Sequence, residues 1–148
     1  MDASSRTGLR WIAKASSNTI VGSEAMASTM PNGYYRGRFA GKYLLAHRVV
    51  FYLTHGYWPT QVDHIDGNRA NNHPDNLREV TAEQNQHNRV ARGYYLDKRS
   101  GKWLSKIRVG NKVKQLGLFN TEDAARAAYL NAKRGLHPTA PERCYESS

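Results

Sequence analysis

An aspartate and a histidine stand side by side at Asp63 and His64, at the end of a short apolar run. Asn76 follows His64 by twelve residues and Asn85 follows it by twenty-one. These are the residue types needed to hold one divalent metal and one general base over a phosphodiester. An imidazole titrates near neutrality and can take a proton from water. A carboxylate, an amide oxygen and several waters suit a hard cation, Mg²⁺ or Mn²⁺, and make a poor zinc set. A metal so placed polarises a phosphoryl oxygen and neutralises the leaving oxygen. Asp63 and Asn85 are the candidate ligands and His64 the candidate base.

Adjacent residues on a strand point to opposite faces. Asp63 and His64 can therefore serve one site only at a strand end, which fits a short strand at 61–65 running into the polar loop 66–75. That loop is dense in Asn, Asp and Gly, whose side chains bond their own backbone. Asp66, Asn68 and Asn71 resemble a calcium loop superficially but lack its Gly and final Glu. A second strand is expected at 76–80. Thr81 and Gln84 form a capping-box pattern that opens a helix running to about Ala91. Asn85 falls in its first turn, with Arg89 one turn later, reaching the scissile phosphate or facing solvent. His87 lies on the other side of that helix. Upstream, 34–39 and 42–46 read as a hairpin around Ala40-Gly41, and 47–55 as a helix ending near Gly56. Residues 1–32 give weak signals, with a possible short strand at Trp11 and Ile12.

The formal charge is +10 over 148 residues, and it is unevenly spread. Residues 92–119 hold eight basic side chains and one acidic, a net of +7. Charge packed into one short stretch points to a polyanion-binding face. Three strands are expected there, at 94–97, 102–109 and 113–119. A helix capped by Asn120 or Thr121 should follow to about Arg134, with Gly135 at its C′ position and Pro138 preventing continuation. Trp103, Ser105 and Ile107 would pack on the Ala125, Ala128, Tyr129 and Ala132 face of that helix. Lys102, Leu104, Lys106 and Arg108 would form the opposite, basic face. Arg92, Lys98, Arg99, Lys112 and Lys114 can extend it. From Pro141 the chain reads as a loose tail. Cys144 is the lone cysteine, which rules out an intrachain disulfide and fits a reducing, cytoplasmic setting. No run is apolar enough for a membrane span, so no membrane role is expected.

The stretch AHRVVFYLTHGYWPTQVDHIDGNRANNHPDNLREVTAEQNQHNR, with the residues from about Gly33, resembles the HNH endonuclease family, in its bacteriophage and homing-endonuclease branch. The resemblance implies a ββα-metal fold and hydrolysis to 3′-hydroxyl and 5′-phosphate ends. It makes His64 the water-activating base and Asp63 and Asn85 the metal ligands. It makes Asn76, in PDNL, the residue that ties the loop and orients the base. His47 also fits the pattern, as a packing residue beside the site.

The stretch from Arg92 to about Leu136 resembles the plant Apetala/ethylene-response-factor DNA-binding domain, through RGYY, KRSGKWLSKIRV, LGLF and TEDAARAAYLNAK. That resemblance implies a three-stranded antiparallel sheet on one helix, with Arg92, Lys98, Lys102, Lys106 and Arg108 contacting DNA. The expected architecture is α+β: an extension at 1–32, an HNH module at 33–91, a DNA-binding domain at 92–138 and a tail at 139–148. The expected activity is metal-dependent nicking of double-stranded DNA by a monomer. The rivals are a non-catalytic, sequence-specific DNA-binding regulator and an RNA-binding or RNA-cleaving protein.

Overall fold

The computed structural model describes residues 1–146 and divides the chain into two units, Met1–Thr81 and the residues from Ala82 onward. The mixed α+β class and the antiparallel pairings agree with expectation. No helix among the described residues is long and apolar enough to cross a membrane.

In the first unit, β1 (Ser28–Thr29), β2 (Tyr35–Phe39) and β3 (Lys42–Leu45) form one antiparallel sheet. Ala40 and Gly41 turn the hairpin with φ of 48° and 78°. Two positive φ values in a two-residue loop match the strand twist, which is why this dipeptide sits there. Helix α1 (Ala46–His55) follows at once and stops where Gly56, at φ 82°, donates its N–H to the Tyr52 carbonyl. Its inner face buries Ala46, His47, Val50 and Phe51. Leu9, Ala25, Met26 and Leu77 complete that core.

The segment before the first sheet is therefore core, not an appendage. Thr7 is fully buried and its hydroxyl donates to the Ala25 carbonyl at 2.7 Å. Leu9 enters the core while Ile12 is left 93% exposed, so the expected strand at Trp11 reduces to one bridge between Arg10 and Glu24. Gly37 has no room for a side chain, since a Cβ there would lie 2.6 Å from Met26 Cα.

Strands β4 (Val62–His64) and β5 (Leu77–Glu79) pair antiparallel, with Asp63 opposite Arg78 and His64 opposite Leu77. They are shorter than expected. Asn76 belongs to a 3₁₀ turn, Pro74–Asn76, because Pro74 cannot donate to a ladder and favours a helical start. Asn76 instead donates its side chain to the loop.

The second unit opens with α2 (Ala82–His87), which stops short of the expected Ala91. Past His87 the helical bonding gives way, with the Arg89 N–H on the Gln86 carbonyl at 3.3 Å, while Arg143 donates to the Asn88 carbonyl at 3.2 Å and Lys133 to the Arg89 carbonyl at 2.7 Å. Strands β6 (Tyr94–Asp97), β7 (Lys102–Val109) and β8 (Lys112–Phe119) then form an antiparallel sheet in that order. Helix α3 (Glu122–Leu136) is capped by Thr121, whose hydroxyl accepts from the Ala124 N–H.

Helix α3 buries Ala125, Tyr129 and Lys133. Gly135 lies inside it rather than at C′, and the helix ends at His137, whose ring bonds the Arg108 carbonyl at 2.7 Å. That tie holds the chain against the sheet just past the helix, which ends two residues beyond the expected Arg134. Gly93, at φ +72°, passes so close to Tyr129 that a Cβ would fall 2.1 Å from its ring. The end of the chain is not loose up to Glu146: a 3₁₀ turn at Glu142–Cys144 buries Cys144 against the Asn88 carbonyl. Residues 147 and 148 of the expected tail lie outside the described residues.

Candidate active site

His64 ends β4 and is 2% exposed. Its Nε2 lies 3.1 Å from Asn72 Oδ1. The Asn72 amide is oriented in turn, because its Nδ2 donates to the Thr7 carbonyl at 3.4 Å. With the amide so set, its oxygen accepts, the proton is assigned to His64 Nε2, and the basic lone pair falls on Nδ1. The N-terminal segment thus helps to hold the base.

Two more rings surround it. His47 stands edge-on to His64 with centroids 5.2 Å apart, and Tyr34 packs on both, at 4.9 Å from His47 and 5.8 Å from His64. This shielding lowers the His64 pKa, because burial disfavours the imidazolium; the Asn72 bond and the carboxylates of Asp66 and Asp63 pull partly the other way. His47 is driven down to about 4, by burial first and then by the charges of His64 and Arg48. Its Nδ1 is buried without a hydrogen-bond partner. Both rings are neutral at pH 7, and a neutral imidazole can accept a proton from water.

Asp63 is oriented by its cross-strand partner. Arg78 Nη2 lies 3.1 Å from Asp63 Oδ2, and the carboxylate is largely shielded. Among the described residues, no three His, Cys, Asp or Glu side chains gather into a metal cage. One oriented carboxylate supplies a hard oxygen donor, which fits Mg²⁺ or Mn²⁺, ions that keep most of their waters and take further ligands from substrate phosphate.

The loop between β4 and β5 is built on Asp66. Its carboxylate accepts from Asn71 Nδ2 at 2.8 Å, Asn76 Nδ2 at 2.9 Å and the Asn68 N–H at 2.7 Å. Asn76 Oδ1 accepts from the Asp66 N–H and its Nδ2 also reaches the Asn71 carbonyl. Burial would raise the Asp66 pKa, but the bonds from Asn71, Asn76 and Asn68 outweigh it and hold the carboxyl below its usual range. Asn76 therefore bonds across the loop, while the contact with the imidazole comes from Asn72. In the sequence Asn72 is one Asn of several in NRANN, and no spacing separates it from Asn68 or Asn71.

Of the remaining site residues, Asn85 stands on α2, in the second unit. Arg89 lies beyond the end of α2 in an exposed stretch. His87 is buried in the second unit, stacked on His137 at 4.3 Å with its Nδ1 2.9 Å from Thr139 Oγ1. His73 is exposed in the loop.

The strand register of the second unit sorts its cations by face. Ser105 and Ile107 are buried under α3, so Lys102, Leu104, Lys106 and Arg108 look outward. Tyr95 pairs with Leu104, and Leu118, Gln115 and Val113 pair with Leu104, Lys106 and Arg108. The outer face is therefore mixed, three cations among exposed Tyr95, Leu118 and Val113. Lys98 and Arg99 are exposed at the β6–β7 turn. Lys114 departs from expectation: it pairs with Ile107 and so sits on the helix side of the sheet, because directly opposed residues share a face. Lys112, opposite Val109, goes with it. Arg92 bonds Glu122 at 2.7 Å and lies over the Tyr94 and Trp103 rings.

No curated protein and no solved structure matches the chain. Residues 44–87, with Asp63, His64, Asn76 and Asn85 among them, match the family model described as HNH endonuclease, a match that supports a nuclease acting on DNA.

Proposed function

We propose that the chain is a divalent-metal-dependent endonuclease that nicks one strand of double-stranded DNA, of the phage or mobile-element kind, working as a monomer. One observation carries this reading: within the matched segment, a buried, neutral His64 is held through Nε2 by Asn72 beside a carboxylate that Arg78 orients. In this reading His64 Nδ1 takes the proton of the attacking water. Asn72 keeps the imidazole in the required tautomer and steadies the imidazolium that forms. Tyr34 and His47 keep bulk water off the ring. Asp63 would hold the metal, and the resemblance to the HNH family gives Asn85 the role of a further ligand. When bound, that ion supplies charge neutralisation at the phosphoryl and leaving oxygens. Asn76 holds the loop that carries Asn72, and Arg89 is assigned to the scissile phosphate. The products carry 3′-hydroxyl and 5′-phosphate ends.

The second unit is assigned to DNA docking as an Apetala/ethylene-response-factor-type module. Lys102, Lys106 and Arg108 contact phosphates from the outer sheet face, Lys98 and Arg99 extend that face at its turn, and Tyr95, Leu118 and Val113 offer apolar contact to base edges. Arg92 is assigned to its rim. The lone, buried Cys144 and the absence of disulfides support work in a reducing compartment such as cytoplasm.

Incubation of supercoiled plasmid with the full chain tests the reading. Open-circular product with Mg²⁺ or Mn²⁺, and none with chelator, is expected. Intact plasmid under all metal conditions, together with tight duplex binding, would favour a non-catalytic DNA-binding regulator instead.

A further inference from the structure

The arginines of the first unit divide into two kinds. Arg6, Arg10 and Arg78 each hold a carboxylate, on Glu24, Asp2 and Asp63. The others hold none among the described residues: Arg48 and Arg69 donate to the Pro59 and Asn32 carbonyls at 2.7 and 2.9 Å, which leaves Arg36 and Arg38. The chain has no acidic side chain between Glu24 and Asp63 to offer them. They lie two apart on β2, so both guanidiniums leave the same face of the sheet, about 7 Å apart along the strand. The register adds Tyr43 to that face, opposite Arg38. Tyr43 is 67% exposed, and Arg36 stacks over its ring at 4.9 Å. The Arg36 Nε is buried with no hydrogen-bond partner, and Arg38 makes only a long 3.4 Å bond to the Gly41 carbonyl.

The other face of this sheet is occupied. Tyr35 and Leu44 pack on the core and Phe39 on Trp11. The alternation that sets half-buried Arg36 and exposed Arg38 on one face also brings Tyr34 to their side, and Tyr34 touches the His64 ring. Arg69 lies over Tyr34 at 5.2 Å. A line of cations and rings thus runs from the imidazole along β2. Two like charges set side by side without a counter-charge repel one another, and an external polyanion relieves that repulsion.

We propose that Arg36 and Arg38, with Tyr43 between them, form a phosphate-backbone track that seats the DNA strand flanking the bond presented to His64. The direction of the track rests on the nuclease reading; the binding itself does not. Guanidiniums fork onto phosphate oxygens, and an exposed ring beside them packs on sugar or an unstacked base. The first unit then grips DNA locally, apart from the docking sheet of the second.

The test uses the full chain in chelator, so that binding is read without cleavage. Wild type, Arg36→Gln/Arg38→Gln and Arg38→Glu are titrated with a short duplex DNA over a range of salt. The slope of log affinity against log salt is expected to fall by about 2 in the double variant and by at least about 1 in Arg38→Glu. Unchanged slopes in variants that melt like wild type would overturn the track. The same titrations repeated with single-stranded RNA would overturn it equally if only the RNA slope fell and the duplex slope did not. If the double variant melts early, Arg38→Glu decides alone, because that side chain is exposed. A wild type that nicks plasmid while both variants keep its slope removes the track only. A wild type that never nicks, with reduced slopes in the variants, removes the nuclease and keeps the track.

Discussion

The two units treat their polar groups in opposite ways. The first unit takes His64, His47 and Asp63 out of water and fixes each by a ring, an amide or a guanidinium. The second unit leaves Lys102, Lys106 and Arg108 in water on an open sheet. The difference follows from the work assigned to each. A group that moves a proton must be neutral, in one tautomer and in one place, and burial supplies all three. Groups that grip a polyanion gain from charge and reach, and burial would cost them both.

The largest effect expected is at the buried base. His64→Ala should lower cleavage about 10²–10⁴-fold while duplex affinity stays at the wild-type value, read by nicking rates beside binding in chelator. Cleavage near the wild-type rate would remove His64 from the chemistry. Next comes a break in the second unit alone. Gly93→Ala drives a Cβ into Tyr129 at a left-handed backbone angle and should cost at least about 3 kcal/mol in that unit. Two calorimetric transitions, with only one displaced, would sharpen the contrast between units, whereas a joint shift would show that they unfold together.

Acid should weaken the first unit through His47. Its pKa is 6.5 in an unfolded chain and about 4 when folded, so the unfolded state binds the proton more readily. The stability due to its burial is complete above pH 6.5 and is lost as pH falls toward 4, by roughly 3 kcal/mol at most. Thermal melts across that range should show the loss, and His47→Phe should flatten it. Asn72→Ala is expected to slow cleavage about 10–100-fold through the orientation of His64. Because the Asn72 bond raises the His64 pKa, its removal should also move the acid limb of kcat/KM to lower pH. A slower enzyme with an unmoved limb would reduce Asn72 to a packing residue. The smallest effect is on the open sheet: Lys102→Gln, Lys106→Gln and Arg108→Gln together should cut the salt slope by about 3 and leave kcat at saturating DNA unchanged.

Much of this contrast was legible beforehand. Apolar alternation over 102–109 announced β7 and its two faces, and Ala40-Gly41 and Gly56 marked turns that need positive φ. The acid-imidazole pair stood out by adjacency. Asn72 did not, because its value comes from reaching His64 on one side and Thr7 on the other, sixty-five residues away. The face of Lys114 was hidden for a similar reason. Counting from the strand start predicts the side, but a register shift between Ser105 and Lys106 resets which residues oppose each other.

The sequence by itself determined the local quantities: element type, the turn residues, the concentration of charge at 92–119, and the candidates Asp63, His64, Asn76 and Asn85. Those depend on neighbours within a turn or two, where sterics and hydrogen bonding act directly. The tertiary structure decided that Asn72 rather than Asn76 meets the imidazole, and that Thr7 stands behind it. It also decided that Arg143 and Lys133 hold the carbonyls just past the early end of α2, and that Arg36 and Arg38 share a sheet face with no carboxylate on either among the described residues. Each of these is a contact between segments distant in the chain, and only the packed core brings such segments within hydrogen-bonding reach.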